Sequence, residues 1–312
     1  MEIPAELMKC KMLMQNDIDL GKPTPTPQQP ALDLDSQISN LRSLNLIIPD
    51  RQRCKDMLDR VSYYRLIKAY GGDLKPHNGI FDGSVSFNDL VALYDFNRKF
   101  RQLIFSYIEI IEVTLRCRLS NYFCVKYGVL GYEKHKNFVD HIKHKQFLEE
   151  AYETISRNKR SPFIRNFQTK YEEHGVPFYA LAEILSFGLL SKFFKNMKNE
   201  DKKVLATLYG HSWPYLESWF ESLAYVRNLC AHCGRLYNIK LERTPKFPKC
   251  TKGGQWTSTI RIFSSVYCIS KLVPHDDEWI LFLLRLSGLF RKYPQVDIHK
   301  IGFPENWHDL LA

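Results

Sequence analysis

Residues 86–128 read SFNDLVALYDFNRKFRQLIFSYIEIIEVTLRCRLSNYFCVKYG and carry the longest regular pattern in the chain. Large apolar side chains recur there every three or four positions, which places them on one side of an α-helix. Gly128 is suited to end such a helix, because glycine tolerates the left-handed conformation that follows many helix C-termini. The pattern therefore predicts one long helix with a buried stripe. The stripe comprises Leu93, Phe96, Phe100, Leu103, Tyr107, Ile111, Leu115, Leu119 and Tyr122.

Most other segments also carry helical patterns, and no run alternates polar and apolar residues as a half-buried strand does. Two helices are predicted before residue 72, separated near Pro49 with Asp50 as the N-cap of the second. The sequence therefore predicts an all-α protein, an antiparallel helical bundle with N- and C-terminal helical additions. A further helix is predicted from Tyr132 to about Arg157, and one apolar, central helix is predicted over 175–197. Another begins near Pro214, with Trp219, Leu223 and Val226 packed inward. The C-terminal region is predicted to contain one helix that ends near Leu272 and a second that begins near Glu278.

The same patterns suggest four regions. Residues 1–31 form an N-terminal segment with a proline-rich linker, and residues 32–80 form an N-terminal helical subdomain. Residues 81–245 form the bundle, and residues 246–312 form a C-terminal helical extension that includes a Gly/Thr-rich loop at 250–258.

Composition narrows the functional class. The chain has 44 Lys and Arg against 34 Asp and Glu, a formal net charge of +10. A balance this basic suggests a polyanionic partner such as nucleic acid, although a solvated basic surface gives the same count. The eight cysteines are scattered, several within apolar helical patterns such as that around Cys117, which indicates a reducing compartment. With no signal peptide and no membrane-spanning stretch evident, we expect a cytoplasmic protein that does not contact a membrane.

The stretch RNLCAHCG, residues 227–234, has three interpretations. Cys230, His232 and Cys233 could be half of a zinc site, but a second ligand pair is missing. The stretch could also be the polar end of an ordinary core helix. Finally, Arg227 and His232 could act on a phosphodiester, because arginine binds phosphate oxygens and histidine transfers protons near neutral pH. On a regular helix the two side chains lie about 140° apart, so a helix end or a second protomer would have to bring them together.

Two further polar sets lie in the long predicted helix. Glu109, Glu112 and Arg116 share one stripe, where Glu112 and Arg116 could either fix the register of the bundle or orient Arg227 or His232. Asn97 stands beside three basic residues that could meet RNA phosphates or simply face solvent. These three are Arg98, Lys99 and Arg101.

Several segments in order resemble the Abi-like (AbiD/AbiF type) abortive-infection family, a branch of the HEPN superfamily. Residues 22–70 are similar to the family's opening, which ends in YYRL…Y, with Asn45 where a glycine is common. The segments YDFNRKFRQLIFSYIEIIE, VPFYALAEILSFGLLS, LAYVRNLCAHCGRLYN and IGFPENW resemble later motifs. Cys233 replaces a common second histidine.

The resemblance implies a homodimeric helical bundle with metal-independent endoribonuclease activity through an R-x(4–6)-H motif, and no cofactor. Arg227 and His232 are the only arginine and histidine at that spacing. The resemblance therefore assigns them as the catalytic pair, with Asn228, Glu112 and Arg116 in support. It implies phage defence or a toxin role, RNA cleavage to 2′,3′-cyclic phosphate and 5′-hydroxyl ends, and restraint by an antitoxin protein or a non-coding RNA. The alternative is a non-catalytic module that binds RNA or such an antitoxin; a zinc-binding structural protein comes third.

Overall fold

The computed structural model describes residues 31–74, 79–170, 175–248, 260–274 and 277–312. The predicted N-terminal helix, the proline-rich linker, the loop at 250–258 and Cys250 lie outside these residues. Within them the structure is helical, with two isolated β-bridges and no sheet, which confirms the all-α prediction. The helices are α1 (Leu34–Ser43), α2 (Arg51–Val61), α3 (Phe87–Tyr127), α4 (His141–Arg157), α5 (Pro162–Lys170), α6 (Phe178–Ile184), α7 (Phe187–Asn196), α8 (Asn199–Thr207), α9 (Trp213–Ala231), α10 (Phe263–Leu272), α11 (Asp277–Lys292) and α12 (Trp307–Leu311).

Helix α3 is the centre of the fold, as the apolar stripe predicted. It begins at a capping box, in which Ser86 and Asp89 satisfy each other's free backbone N–H groups, and ends at Gly128 with φ 83°. Helices α6, α7, α9, α10 and α11 all pack against it. Its 41 residues span about 60 Å at 1.5 Å per residue, so one helix reaches neighbours from both ends of the chain.

A left-handed residue follows each of the two N-terminal helices. After α1, Asn45 has φ 65°, a conformation that glycine adopts more readily than other residues. Asp50 caps α2 as predicted, accepting a hydrogen bond from the Arg53 N–H. The prediction of one continuous helix through residue 70 was wrong, because Ser62 has φ 65° and stops α2. A short π-helix, Tyr64–Lys68, follows it.

Two other helix predictions need correction. Two 3₁₀ turns occupy the start of the segment predicted as a helix from Tyr132, and α4 begins only after Asp140, whose carboxylate accepts the N–H groups of Ile142 and Lys143. The apolar stretch 175–197 is two helices rather than one. Leu185 is extended, and the Ser186 hydroxyl caps α7 by accepting the Leu189 N–H. This local hydrogen bond causes the break, and the spacing of apolar residues does not reveal it.

Helix α9 carries the RNLCAH motif and packs against α3, α7, α8 and α10. Its predicted inward face is confirmed, since Trp219, Leu223 and Val226 are buried. The C-terminal part of the chain packs against α3 through α10 and α11. Its end is held where the Trp279 indole donates to the Leu311 carbonyl. None of the described helices is both long enough and apolar enough to cross a lipid bilayer.

A buried carboxylate joins α8 to α3. Asp201 is fully buried and accepts hydrogen bonds from the Tyr122 hydroxyl at 2.8 Å, the Tyr127 hydroxyl at 2.7 Å and the Lys126 ammonium. Burial alone would raise the pKa of Asp201, but the three donors outweigh it and hold that pKa below its ordinary value of 3.8. The charged form is therefore the one that stabilises the fold.

We expect Asp201→Asn to lower the free energy of unfolding at pH 7 by about 1–3 kcal/mol, because the amide NH2 group replaces one buried carboxylate acceptor and then faces other donors without a partner. The Asp201 contribution is fully present above the unfolded-state pKa and is lost as the pH falls through the lower folded-state value. The gap between the two proteins should therefore narrow below about pH 4. Urea denaturation over a pH series measures it. Asp59→Asn, at an exposed site, is the control, and an equally large gap at low pH would contradict the assignment.

Candidate active site

The end of α9 forms a turn that fixes the position of His232. His232 is the C-cap, and Cys233 follows with φ 56° in the left-handed region. The Cys233 N–H donates to the Cys230 carbonyl at 3.2 Å and the Gly234 N–H to the Leu229 carbonyl at 2.7 Å. This pair of bonds is a Schellman motif. The helix therefore ends at His232, and Cys233 rather than the following Gly234 adopts the left-handed conformation.

Three side chains from distant segments hold this turn from outside. Arg65 donates to the Cys233 carbonyl at 3.2 Å, and Arg101 donates to the Gly234 carbonyl at 3.0 Å. The side-chain oxygen of Asn97 accepts the N–H groups that follow the turn, those of Leu236 at 2.7 Å and Tyr237 at 3.0 Å. The main chain beside His232 is therefore tied to both α3 and the Tyr64–Lys68 segment.

His232 is exposed and faces a groove of about 450 Å³ between this turn, α3 and the Tyr64–Lys68 segment. We call it the His232 groove. Its imidazole makes no hydrogen bond to another residue that the structure describes, which leaves both ring nitrogens available to a ligand. The other side chains that line the groove are Tyr64, Arg65, Lys68, Ala69, Tyr70, Tyr94, Arg101, Cys233 and Arg235, with the backbone of Gly234.

The His232 groove is basic and aromatic. No described residue that lines it is acidic, and four carry a permanent positive charge, although Arg235 is paired with Asp73 at 3.2 Å. Burial raises the pKa of Tyr70 to about 12, so its phenol stays neutral at physiological pH and does not offset these charges. A groove of this composition suits a phosphate-bearing ligand with planar groups.

Arg227 lies on a different side of α9 and does not line the His232 groove. Its Nε donates to Glu112 Oε2 at 3.2 Å, and its guanidinium lies 5.8 Å from the centre of the Phe105 ring. About a third of its side chain remains exposed, 31%. Glu112, which is buried, accepts from Arg116 through its other oxygen at 2.7 Å. Glu112 therefore holds the Arg227 guanidinium in place beside α3.

Arg116 also has a structural task. It donates to the carbonyls of Ala182 and Leu185, which lie in the last turn of α6 and at its end and have no intrahelical partner. The geometry thus agrees with both interpretations of the Glu112–Arg116 pair. Arg116 fixes the register between α3 and α6. Glu112 accepts hydrogen bonds from both Arg116 and Arg227 and so holds Arg227 in a fixed position. Glu109 on the same stripe is exposed.

The remaining predicted residues do not gather at one surface. Asn228 is exposed and lines a separate cavity with Lys195, Tyr225 and Arg243. The basic patch predicted at 97–101 was wrong as a patch, because successive residues of a helix point about 100° apart. Arg98 forms a half-buried ion pair with Asp95 at 3.5 Å, and Lys99 donates to the Tyr293 hydroxyl at 2.8 Å. The side chains of Asn97 and Arg101 are buried at the turn after α9.

The cysteines of the motif have different environments. Cys230 is buried, and burial raises the pKa of its thiol to about 12. Cys233 is exposed in the turn that follows α9. Cys117 is also exposed on α3, against the expectation from its apolar neighbours. Among the described residues, no three or more His, Cys, Asp or Glu side chains come together in a way that could hold a metal ion.

Sequence analysis missed the wall of the groove opposite His232. Tyr64, Arg65 and Lys68 belong to the YYRL motif, which drew notice only as part of the resemblance. The four-residue spacing of Tyr64 and Lys68 was the available signal, since it places these two side chains on one side of a helical turn. Contact with the α9 turn could not be predicted, because Arg65 and Cys233 are 168 positions apart.

Because Cys233 is left-handed, Cys233→Gly should raise the free energy of unfolding by about 1 kcal/mol. Gly234→Ala should lower it, since an added Cβ would lie 3.0 Å from the Leu229 carbonyl oxygen. Thermal and urea denaturation of both variants against the parent measure these shifts. Opposite signs for the two substitutions are expected, and a destabilised Cys233→Gly protein would contradict the Schellman geometry.

A family comparison supplies the identity that this geometry leaves open. The family model described as Abi-like protein matches residues 56–238, more than half of the chain. The match contains every residue of the candidate site and of the His232 groove, whereas the IGFPENW ending lies beyond it. No curated protein and no solved structure matches the chain significantly. The chain therefore belongs to the Abi-like protein family, and this membership implies a role in abortive infection, a defence against phage.

Proposed function

We propose that the protein is a metal-independent endoribonuclease of phage defence that uses Arg227 and His232. The observation that carries the proposal is the position of His232. It is the histidine of the one Arg-x4-His pair in the sequence, and its exposed imidazole faces a groove lined by arginine, lysine and tyrosine. A general acid or base must be accessible and unengaged in order to reach the proton that it transfers.

The proposed reaction uses a nucleophile that RNA itself carries. The 2′-oxygen attacks the adjacent phosphorus as its proton leaves, and the bond from phosphorus to the 5′-oxygen breaks as that oxygen gains a proton. The products are a 2′,3′-cyclic phosphate and a 5′-hydroxyl, so no water, metal or oxidant is consumed. His232 would perform one of the two proton transfers, and Arg227 would stabilise charge on the phosphorane.

A complete site would require a second copy of the chain, because Arg227 and His232 occupy different sides of α9 within one protomer. In a two-fold dimer, Arg227 of one chain can lie beside His232 of the partner. Helix α3, which holds Arg227 through Glu112, also carries exposed apolar side chains that a partner chain could cover. Val113 is 57% exposed and Ile110 is 38% exposed.

The separation of the two residues within one chain also favours a second candidate function. A module that binds RNA or an antitoxin through the basic groove, without cleaving RNA, needs no convergence of Arg227 with His232. If the protein is the nuclease, we propose that a protein or RNA antitoxin restrains it, since free ribonuclease activity harms the cell that makes it. If it is the binding module, the antitoxin is a ligand of the groove.

Purified protein should cleave RNA in the presence of EDTA and leave 2′,3′-cyclic phosphate ends, detected by end-specific ligation and sequencing. His232→Ala should reduce the rate by about 10²–10⁴-fold, the typical contribution of a general acid or base. Arg227→Lys should also be strongly impaired, because lysine lacks the planar fork that binds two phosphate oxygens. Lys203→Ala, an exposed position on α8, is the matched control. RNA binding without cleavage by any preparation would favour the second candidate.

Mixing two inactive variants tests the shared site. If Arg227 and His232 come from different protomers, an equal mixture of Arg227→Ala and His232→Ala chains should recover roughly a quarter of the parent activity after subunit exchange, since half of the dimers then hold one complete site of two. A site contained in one chain would give no recovery in dimers that sedimentation confirms to be mixed.

A further inference from the structure

We infer that the His232 groove is a substrate subsite for one unpaired nucleotide next to the scissile phosphate of single-stranded RNA. In this subsite Tyr64 stacks on the base, and Arg65 and Lys68 bind the flanking phosphate. The inference rests on the proposed function, because it takes His232 as the group that acts on the RNA. It adds a substrate class and three recognition residues to that proposal.

Tyr64 is the first reason. Its side chain is 78% exposed on the wall of the groove, although most large apolar and aromatic residues of the chain are buried. It is absent from the ring–ring contacts that connect the neighbouring tyrosines, where Tyr70 and Tyr94 meet edge to face at 6.2 Å. Packing within the fold therefore does not account for an aromatic residue here. An exposed ring in a basic groove is a stacking platform for a base.

The charges near Tyr64 are the second reason. Lys68 is exposed on the same wall, and no described residue forms an ion pair or hydrogen bond with it. Arg65 is also exposed and uses one N–H on the Cys233 carbonyl, so the rest of its guanidinium faces the groove. Arg101 adds a further charge at the base of the groove, and carboxylates are missing from the described lining. Phosphate is the anion that such a set would bind with a planar group alongside.

The backbone of the Tyr64–Lys68 segment is the third reason. Ser62, with φ 65°, ends α2 and redirects the chain, and the next turn is a π-helix. Short π-helical turns are costly and are found often at functional sites. The turn places Tyr64 and Lys68 on the groove while Leu66 and Ile67 are buried beneath them. The irregular turn thus presents ligand-binding side chains on a wall anchored by apolar ones.

Size and geometry favour a single strand over a duplex. A volume of about 450 Å³ is in the range of small-ligand pockets, roughly 300–1,000 Å³, and is suited to about one nucleotide. In a duplex both faces of each base are already covered by its neighbours, so Tyr64 would have nothing to stack on. Stacking on one ring and binding of phosphate by two cations do not distinguish one base from another, so the subsite should accept any base.

The test measures binding separately from cleavage. In a His232→Ala background, which removes turnover, fluorescence anisotropy follows a labelled single-stranded oligoribonucleotide and its duplex. Tyr64→Ala should weaken single-strand binding roughly 5- to 150-fold, and Tyr64→Phe should restore it because the ring is kept. Lys68→Ala should lower the slope of log affinity against log salt by about 0.7. Tyr152→Ala on α4 and Lys203→Ala on α8 are matched exposed controls.

The outcomes separate this inference from the proposed function. If Tyr64→Ala and Lys68→Ala bind the single strand as tightly as the His232→Ala parent, or if the duplex binds more tightly than the single strand, the subsite is overturned even where cleavage depends on His232. If the two substitutions weaken binding as expected while no preparation cleaves RNA, the subsite stands and the nuclease proposal falls. Because Tyr64 and Lys68 are exposed, both variants should keep the parent's melting temperature, which excludes unfolding as the cause.

Discussion

The chain that follows α9 depends on two polar side chains buried in α3. Asn97 accepts the N–H groups of Leu236 and Tyr237, and Arg101 donates to the Gly234 carbonyl. Both side chains are more than 90% buried, so each replaces water that the main chain of an irregular segment would otherwise need. An irregular segment can run through the interior only where such partners exist. The placement of His232 follows from this requirement.

The same helix serves the other half of the motif. Glu112 lies fifteen residues, about four turns, further along α3 than Asn97. It binds both Arg227 and Arg116, and Arg116 also donates to carbonyls at the end of α6. One rigid element therefore sets the position of both motif residues, each on its own side of α9. A two-sided arrangement suits a site completed by a partner chain, because each protomer presents a fixed arginine on one surface and a fixed histidine on another.

The helical class and the central helix were accessible from the sequence, whereas the helix breaks and the contacts between distant segments were not. The stripe from Leu93 to Tyr122 was sufficient to predict α3, since apolar spacing of three and four over many turns has one simple solution. The break at Leu185 and Ser186 and the π-helix after Ser62 were missed, because apolar residues continue through both and hydrogen bonds decide the outcome. Lys99 and Arg101 show the limit for the site, because these cations, two positions apart in the sequence, bind a tyrosine hydroxyl and a buried turn on different sides of a helix.

The wide separation in sequence between the walls of the His232 groove has a consequence for synthesis. The Tyr64–Lys68 segment leaves the ribosome long before the α9 turn, and the bonds that join them span 166 to 168 positions. Non-local contacts of this kind form late, once the intervening chain has been ordered. A nascent or truncated chain that stops before α9 thus has a basic wall but no histidine opposite it. The groove in which we propose nuclease activity is therefore completed only after the chain up to Arg235, about three-quarters of its length, has been made.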